Sequence, residues 1–363
     1  MDRTLEQART LFLEGLADYQ AGRLAQAERR FSGALALAPG RPSVLTNLGA
    51  VVLKLGRPEE ALALLQEALQ KEPGNAEALA HCGTALAELG RPAEALPCFD
   101  GALAANPALP ALWTLRGTAL RELGRTSDAA RSYEEALARG GNTELLRYFL
   151  AGLHAGAAPA HAPRQYVEAL FDGYAQAFDT HLVQALRYDA PKVLTRGLAA
   201  QGRRWQNALD LGCGTGLCGP LLRAMADRVT GVDLSGGMLE QAGKLGAYDA
   251  LHQGDVVEFL AASTEVFDLV VAADVFIYVG ALDEVFRHLA LRMPPGGAFC
   301  FTVEESAGIE VELRASLRYA HSEEGIRRLA AANGFVITAA ERRAVREEQR
   351  EPVAGIFFWL QKA

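Results

Sequence analysis

At 363 residues the chain exceeds one ordinary domain, and with half of its residues apolar it can bury two or three cores. A net charge of −8, with neither half basic, speaks against an extended nucleic-acid footprint, and the apolar runs are far too short to span a membrane. The opening "MDRTLEQARTLFLEG" carries charges where a secretion signal needs its apolar core, and Cys82, Cys98, Cys213, Cys218 and Cys300 form neither a CxxC pair nor a Cys/His cluster, so a soluble, cytoplasmic protein with packed thiols and no structural zinc is expected.

The first part of the chain repeats with a period of 34. Gly15, Gly49, Gly83 and Gly117 recur at that interval, as do Gly22, Gly56, Gly90 and Gly124. Ala27, Ala61, Ala95 and Ala129 follow it, and so do Phe31, Leu65, Phe99 and Tyr133. Pro39, Pro73 and Pro107 close the first three units, and Gly141 takes that place in the fourth. Small residues at a fixed place let two helices cross closely, and proline stops the second helix of each unit. This pattern resembles the tetratricopeptide repeat, a helix–turn–helix unit that must stack to bury its apolar face.

That resemblance predicts an all-α helical solenoid over residues 1–155: four repeats at about 8–41, 42–75, 76–109 and 110–143, then a capping helix in "TELLRYFLAGLHAG". The concave surface is expected to carry Phe12, Leu16, Tyr19, Thr46, Ala50, Leu53, Ala80, Thr84, Thr114 and Thr118, with Lys54 and Arg121 as its few cations. Such a surface suits an amphipathic or apolar segment of a protein or peptide partner, unless another part of the chain fills it. Residues 156–163, "GAAPAHAP", read as a linker.

From residue 164 to 363, apolar runs alternate with amphipathic segments, the pattern of an α/β sheet. Strands are expected at 207–211, 229–234, 267–273, 297–303, 335–339 and 353–361, with a short one at "ALHQ". Helices are expected at 215–226, 236–246, 281–291 and 323–333. "NALDLGCGTGLCGP" places a glycine turn directly after the first strand. It lacks the lysine of a phosphate-binding GxxxxGK[ST] loop, and Leu217 stands where a dinucleotide GxGxxG needs its last glycine.

What remains is acid–x–G–x–G–x–G at Asp210, Gly212, Gly214 and Gly216. Asp233 follows in "GVDLS", Asp255 in "HQGDVVEF", and Ala273 and Asp274 in "FDLVVAADVFIYV". In this order the four segments resemble the class I S-adenosylmethionine-dependent methyltransferases, with a Rossmann-like seven-stranded fold. The resemblance implies S-adenosylmethionine as cofactor. Side chains at 212, 214 or 216 would then intrude on it; Asp210 would organise the loop and the cofactor's ammonium. Asp233 would accept from the ribose hydroxyls, Asp255 and the Val256 N–H would meet the adenine, and Leu234 and Met238 would pack against that ring. Ala273 and Asp274 would stand beside the methionine part.

Two further segments bear on the methyl acceptor. Phe171, Tyr174 and Phe178 recur at helical spacing in "ALFDGYAQAFDTHL". Resemblance to small-molecule methyltransferases implies a helix there that closes over the cofactor, with Tyr174 nearest the transferred methyl. The connection 304–321 leaves a strand's carboxyl end and crosses the mouth of the site. It offers Glu305, Arg318, Tyr319 and His321: Arg318 with Tyr319 for a carboxylate or phenolate, and His321, with His181 as the other choice, for a proton. "AADVFIYV" is not the Asn-Pro-Pro-Tyr of enzymes that methylate DNA-base or glutamine amino groups, and no metal is expected.

Together with "LRYAHSEE" and "EPVAGIFFWLQKA", these segments resemble a bacterial family in which tetratricopeptide repeats are fused to a methyltransferase. The expected activity is methyl transfer to a small or carrier-held acceptor of unidentified structure, the repeats recruiting a partner or substrate. The alternatives are a protein methyltransferase whose repeats hold its substrate, and a scaffold with an inactive methyltransferase fold.

Overall fold

The computed structural model describes residues 3–154, 156–172, 188–199, 202–348 and 351–363, and the chain divides into two compact units, Met1–Leu153 and His154–Ala363. The first unit is four helix pairs and a ninth helix. The pairs are α1 Arg3–Gln20 with α2 Leu24–Leu37, α3 Pro42–Lys54 with α4 Pro58–Lys71, α5 Ala76–Glu88 with α6 Pro92–Ala105, and α7 Pro110–Glu122 with α8 Thr126–Ala138. Helix α9, Thr143–Gly152, follows, and its Phe149 ring lies 5.1 Å from that of Tyr133.

The repeated glycines do two different jobs. A Cβ on Gly15, Gly83 or Gly117 would come within 2.7, 2.6 or 2.5 Å of the ring of Phe31, Phe99 or Tyr133, and one on Gly49 within 2.7 Å of Leu65. These glycines let the two helices of a pair close upon a fully buried side chain. At Gly22, Gly56, Gly90 and Gly124 a Cβ would touch nothing, but φ lies between 70° and 77°. There the first helix of each pair ends with the same two bonds, as in Gly90 N–H to Ala87 O and Arg91 N–H to Leu86 O, the glycine-dependent helix stop.

Of the residues expected to line the groove, Thr46, Ala50 and Leu53 are buried and the others half-buried. The Thr84 and Thr114 hydroxyls donate to the carbonyls one turn back, and the Lys54 ammonium lies 4.7 Å from the centre of the Tyr19 ring.

The second unit begins with residues 156–163, helix α10 Arg164–Asp172 and helix α11 Ala190–Ala199. The sheet strands are β1 Trp205–Leu211, β2 Ala226–Asp233, β3 Ala250–Gln253, β4 Leu269–Ala272, β5 Ala298–Glu305, β6 Val311–Leu313, β7 Tyr319–His321, β8 Phe335–Glu348 and β9 Glu351–Lys362. Between them run α12 Gly219–Arg223, α13 Gly236–Lys244, α14 Val256–Ala262, α15 Asp283–Arg292 and α16 Glu323–Ala332. Strands β3-β2-β1-β4-β5 are parallel, and β9 then β8 extend the sheet antiparallel.

Alternate strand residues enter two cores. Leu209, Val270, Phe299 and Phe358 face one, with α14, α15 and α16; Ala208, Leu269, Cys300 and Phe357 face the other, with α11 and α12. Both faces being covered explains why these strands read as continuous apolar runs. In the first core Phe286 stands edge-on to Phe301 and Phe335, at 5.9 Å and 90° in each case. Each fully buried phenylalanine contributes about 1.5–3 kcal/mol.

Two features depart from the sequence reading. The connection 304–321 is no open loop but an antiparallel hairpin of β6 and β7. Glu304 pairs with Gly355 of β9 and Ala320 of β7, so β7 takes the edge of β5 that β4 has vacated. The expected linker is also tied down: Ala160 O accepts from Gly280 N (2.8 Å) and Ala281 N (2.9 Å), Ala162 N donates to Tyr278 O (2.9 Å), and Tyr319 Oη donates to Pro159 O (2.8 Å). Residues 159–162 of this segment run beside 278–281, with an antiparallel bridge between His161 and Val279.

Candidate active site

The carboxyl ends of β1, β2 and β4 face a cavity of about 650 Å³, within the range of small-molecule sites. It brings together ten of the eleven residues expected to hold the cofactor: Asp210, Gly212, Gly214, Asp233, Leu234, Met238, Asp255, Val256, Ala273 and Asp274. They come from four segments far apart in the chain.

All three loop glycines have positive φ, 62°, 54° and 93° at 212, 214 and 216, so each position disfavours any side chain. Only Gly214 faces open space. A Cβ on Gly212 would strike Val275, and one on Gly216 would meet Leu245 at 2.9 Å and Tyr248 at 3.1 Å. Gly216 does not line the cavity; it lets the loop pack against α13 and Tyr248. Of the three glycines expected to make room for a ligand, only Gly214 would carry a Cβ that meets none of the chain's own atoms.

The acids also serve the loop. Asp233 accepts from Gly214 N (2.8 Å) through Oδ2 and from Ser235 N (2.9 Å) through Oδ1, fixing the turn to the end of β2. Asp255 caps α14 by accepting from Val257 N and Glu258 N, both at Oδ1. Asp210 is 1% exposed and accepts from Tyr248 Oη at 2.6 Å. Burial pushes its carboxyl up to about 7, although the Tyr248 hydroxyl works the other way. Burial also raises the Cys213 and Cys218 thiols that line the cavity, which keeps them protonated and unreactive.

The cavity is also lined by His161, Arg164, Phe171, Tyr278, Arg318 and Arg346. Arg318 is a quarter exposed; it is ion-paired with Glu348 and hydrogen-bonded to Tyr278, whose phenol burial pushes up to about 12. Arg346 is 2% exposed and donates to three carboxylates: Asp274 (2.7 and 2.8 Å), Glu348 (2.7 Å) and Glu304. Burial opposes its charge, but the three acids outweigh that and hold it protonated. Arg346 stood unmarked in the sequence, one arginine of a charged run.

Two of the residues expected at the acceptor lie elsewhere. Tyr319 and His321 are buried and do not line the cavity. Tyr319 holds Pro159, and His321 Nε2 donates to Gly280 O at 3.0 Å. Burial lowers the His321 imidazole to about 4, so it stays neutral. Both fasten the segments above the cavity. Glu305 is outside the cavity too, paired with Arg342 at 2.7 Å. Tyr174, Phe178 and His181 lie outside the described residues. Among those that are described, no helix is long and apolar enough to cross a membrane.

Both units resemble known protein families. A methyltransferase-domain family matches residues 209–301, and tetratricopeptide-repeat families match 52–118, 12–76 and 114–162. The malonyl-[acyl-carrier protein] O-methyltransferase of Salmonella typhimurium is 30% identical over 143 residues, 39% of this chain and 55% of that protein. The protein of the same name from Enterobacter lignolyticus is 30% identical over 155 residues, 43% and 59% of the two chains. The chain thus spans little more than half the length of these curated relatives. Among solved structures, magnesium protoporphyrin IX methyltransferase from Synechocystis with bound S-adenosylmethionine is 20% identical, covering 55% of this chain and 97% of that one, with a TM-score of 0.43. MamA from Desulfovibrio magneticus is 18% identical, covering 41% and 84%, with a TM-score of 0.39.

Proposed function

We propose that this chain, a methyltransferase domain preceded by tetratricopeptide repeats, transfers a methyl group from S-adenosylmethionine to a small or carrier-held acceptor that presents an anionic oxygen. The observation that carries the reading is the single cavity that collects the motif residues of four segments and has Arg318 in its lining. The residues fit the cofactor. Gly214 leaves open space, Asp210 offers a buried carboxylate to a cationic group, and Leu234 and Met238 offer an apolar wall to an adenine. Bound S-adenosylmethionine supplies an electrophilic methyl on a sulfonium for in-line displacement.

The chain's own part is placement and exclusion of water. Holding two reactants in line supplies roughly 7–11 kcal/mol in favourable cases, which suffices when the acceptor is already ionised. Tyr278 is held protonated, and His321 is turned away and neutral. A carboxylate needs no base, and Arg318 is placed to receive one by charge-assisted hydrogen bonds. The relatives named as malonyl-[acyl-carrier protein] O-methyltransferases favour the same acceptor chemistry. The repeats, in this reading, recruit a protein or peptide partner, of which a carrier is one form.

Calorimetry on the full chain should give one site for S-adenosylmethionine; no binding ends the proposal. Labelled methyl transfer in a cell extract should mark an acceptor whose ester is cleaved by mild base. Arg318→Ala should raise the acceptor KM at least tenfold and leave cofactor affinity within about twofold. An acceptor KM untouched by that change would remove Arg318 from the site.

A further inference from the structure

Asp274 is one of three non-glycine residues with positive φ among those described, and the one of the three that lines the cavity. Its φ of 60° places a side chain in the left-handed region, a conformation costing about 1–3 kcal/mol that persists only where the surroundings enforce it. Two contacts do so. The Asp274 N–H donates to Thr302 Oγ1 at 2.8 Å, and its carboxylate takes both bonds from Arg346 Nη1.

The partners of Arg346 are not equivalent. Glu304 has a second guanidinium, Arg314, at 2.9 Å, and Glu348 has Arg318. Asp274 has an ion pair with Arg346 alone among the described residues. Losing Arg346 would leave two of the three acids paired and would strand Asp274.

A local irregularity brings Arg346 there. The β8–β9 register slips between Ala344 and Arg346, so Val345 is an extra residue, buried against Gly355, where a Cβ would collide with it. Such a bulge re-aims the side chain that follows. Arg342 and Arg343, before the slip, remain on partly or fully exposed surface.

We propose that Arg346 is a positioning residue whose particular task is to hold the Asp274 turn, and with it the 273–275 wall of the cavity, in its left-handed conformation. The proposal rests on the methyl-transfer reading only for its consequence in catalysis; the clamp itself is a property of the cofactor-free chain.

Hydrogen exchange on the full-length, cofactor-free protein tests it. In Arg346→Lys, amides of the 270–278 peptide should exchange at least tenfold faster, while peptides from β1 and β2 keep their protection. Normal protection at 270–278 overturns the proposal. Should Arg346→Lys lose protection throughout the sheet, the double variant Asp274→Gly/Arg346→Lys decides. Glycine takes φ 60° freely and removes the stranded carboxylate, so it should restore protection. No restoration means that Arg346 acts elsewhere, and the proposal fails. In turnover, Arg346→Lys should lower kcat at least tenfold at saturating cofactor, with cofactor Kd within about threefold. A wild-type chain that binds no S-adenosylmethionine would overturn the enzymatic reading and leave the exchange result to judge the clamp.

Discussion

Asp210 is a buried carboxyl group whose hydrogen-bond partners are a phenol and a thiol: Tyr248 and Cys218 donate to it, and the nearby Asp233 repels its charge. Its folded pKa of about 7 lies above the ordinary carboxyl value, so between about pH 4 and 7 the folded chain holds a proton that the unfolded chain has released. Stability from this group is therefore complete below about pH 4 and is lost as pH rises to about 7, a swing on the order of 4 kcal/mol. A cationic cofactor reverses the preference, because it binds the ionised form. Cofactor affinity should climb close to tenfold per pH unit up to about pH 7 and then level off, and Asp210→Asn should flatten the profile. Calorimetry from pH 5 to 8.5 reads it; a wild-type profile as flat as the variant's would remove the cation from Asp210. At this scale the acids at strand ends were legible, because strand, turn and acid come in a fixed order. Tyr319 and His321 were misread as acceptor ligands, because all three residues of β7 are buried and nothing in "RYAHSEE" shows that.

Between residues and molecule, the repeats separate two uses of glycine, and the separation is measurable. Gly83 meets Phe99 where α5 crosses α6, whereas Gly90 meets nothing and ends α5 with φ 70°. Gly83→Ala should cost about 1–3 kcal/mol by overpacking, and Gly90→Ala about 1 kcal/mol through its backbone alone. Phe99→Ala should shrink the added cost of the first, because it removes the ring that the new methyl would strike, and should leave that of the second unchanged. Urea unfolding of the three single and two double variants checks this, and relief of both alike would contradict it. The repeat helices were legible because a 34-residue interval marks the crossings and the stops together. The β8 bulge was not. Strand alternation puts Arg342, Ala344 and Arg346 on one face, and only the extra residue at Val345 turns Arg346 into the site. The hairpin β6–β7 escaped for a related reason: strands of three residues carry too little alternation to read.

For the molecule as a whole, the division into two units has a thermodynamic consequence. Each unit buries its own aromatic residues, Phe31, Phe99, Tyr133 and Tyr148 in the first, and Phe286, Phe299, Phe301 and Phe357 in the second. A chain of this kind should unfold in two transitions, and each should answer to its own perturbation. S-Adenosylmethionine at a hundred times its Kd adds about 2.7 kcal/mol to whatever binds it. For a unit the size of the second, that raises Tm by roughly 5–10 °C. Gly83→Ala should lower the other transition and leave the cofactor-sensitive one in place. Scanning calorimetry of wild type and variant, with and without cofactor, gives the four curves required. If cofactor and Gly83→Ala move one common transition, the repeats and the catalytic unit unfold as one cooperative body, and occupancy of either is then felt by the other.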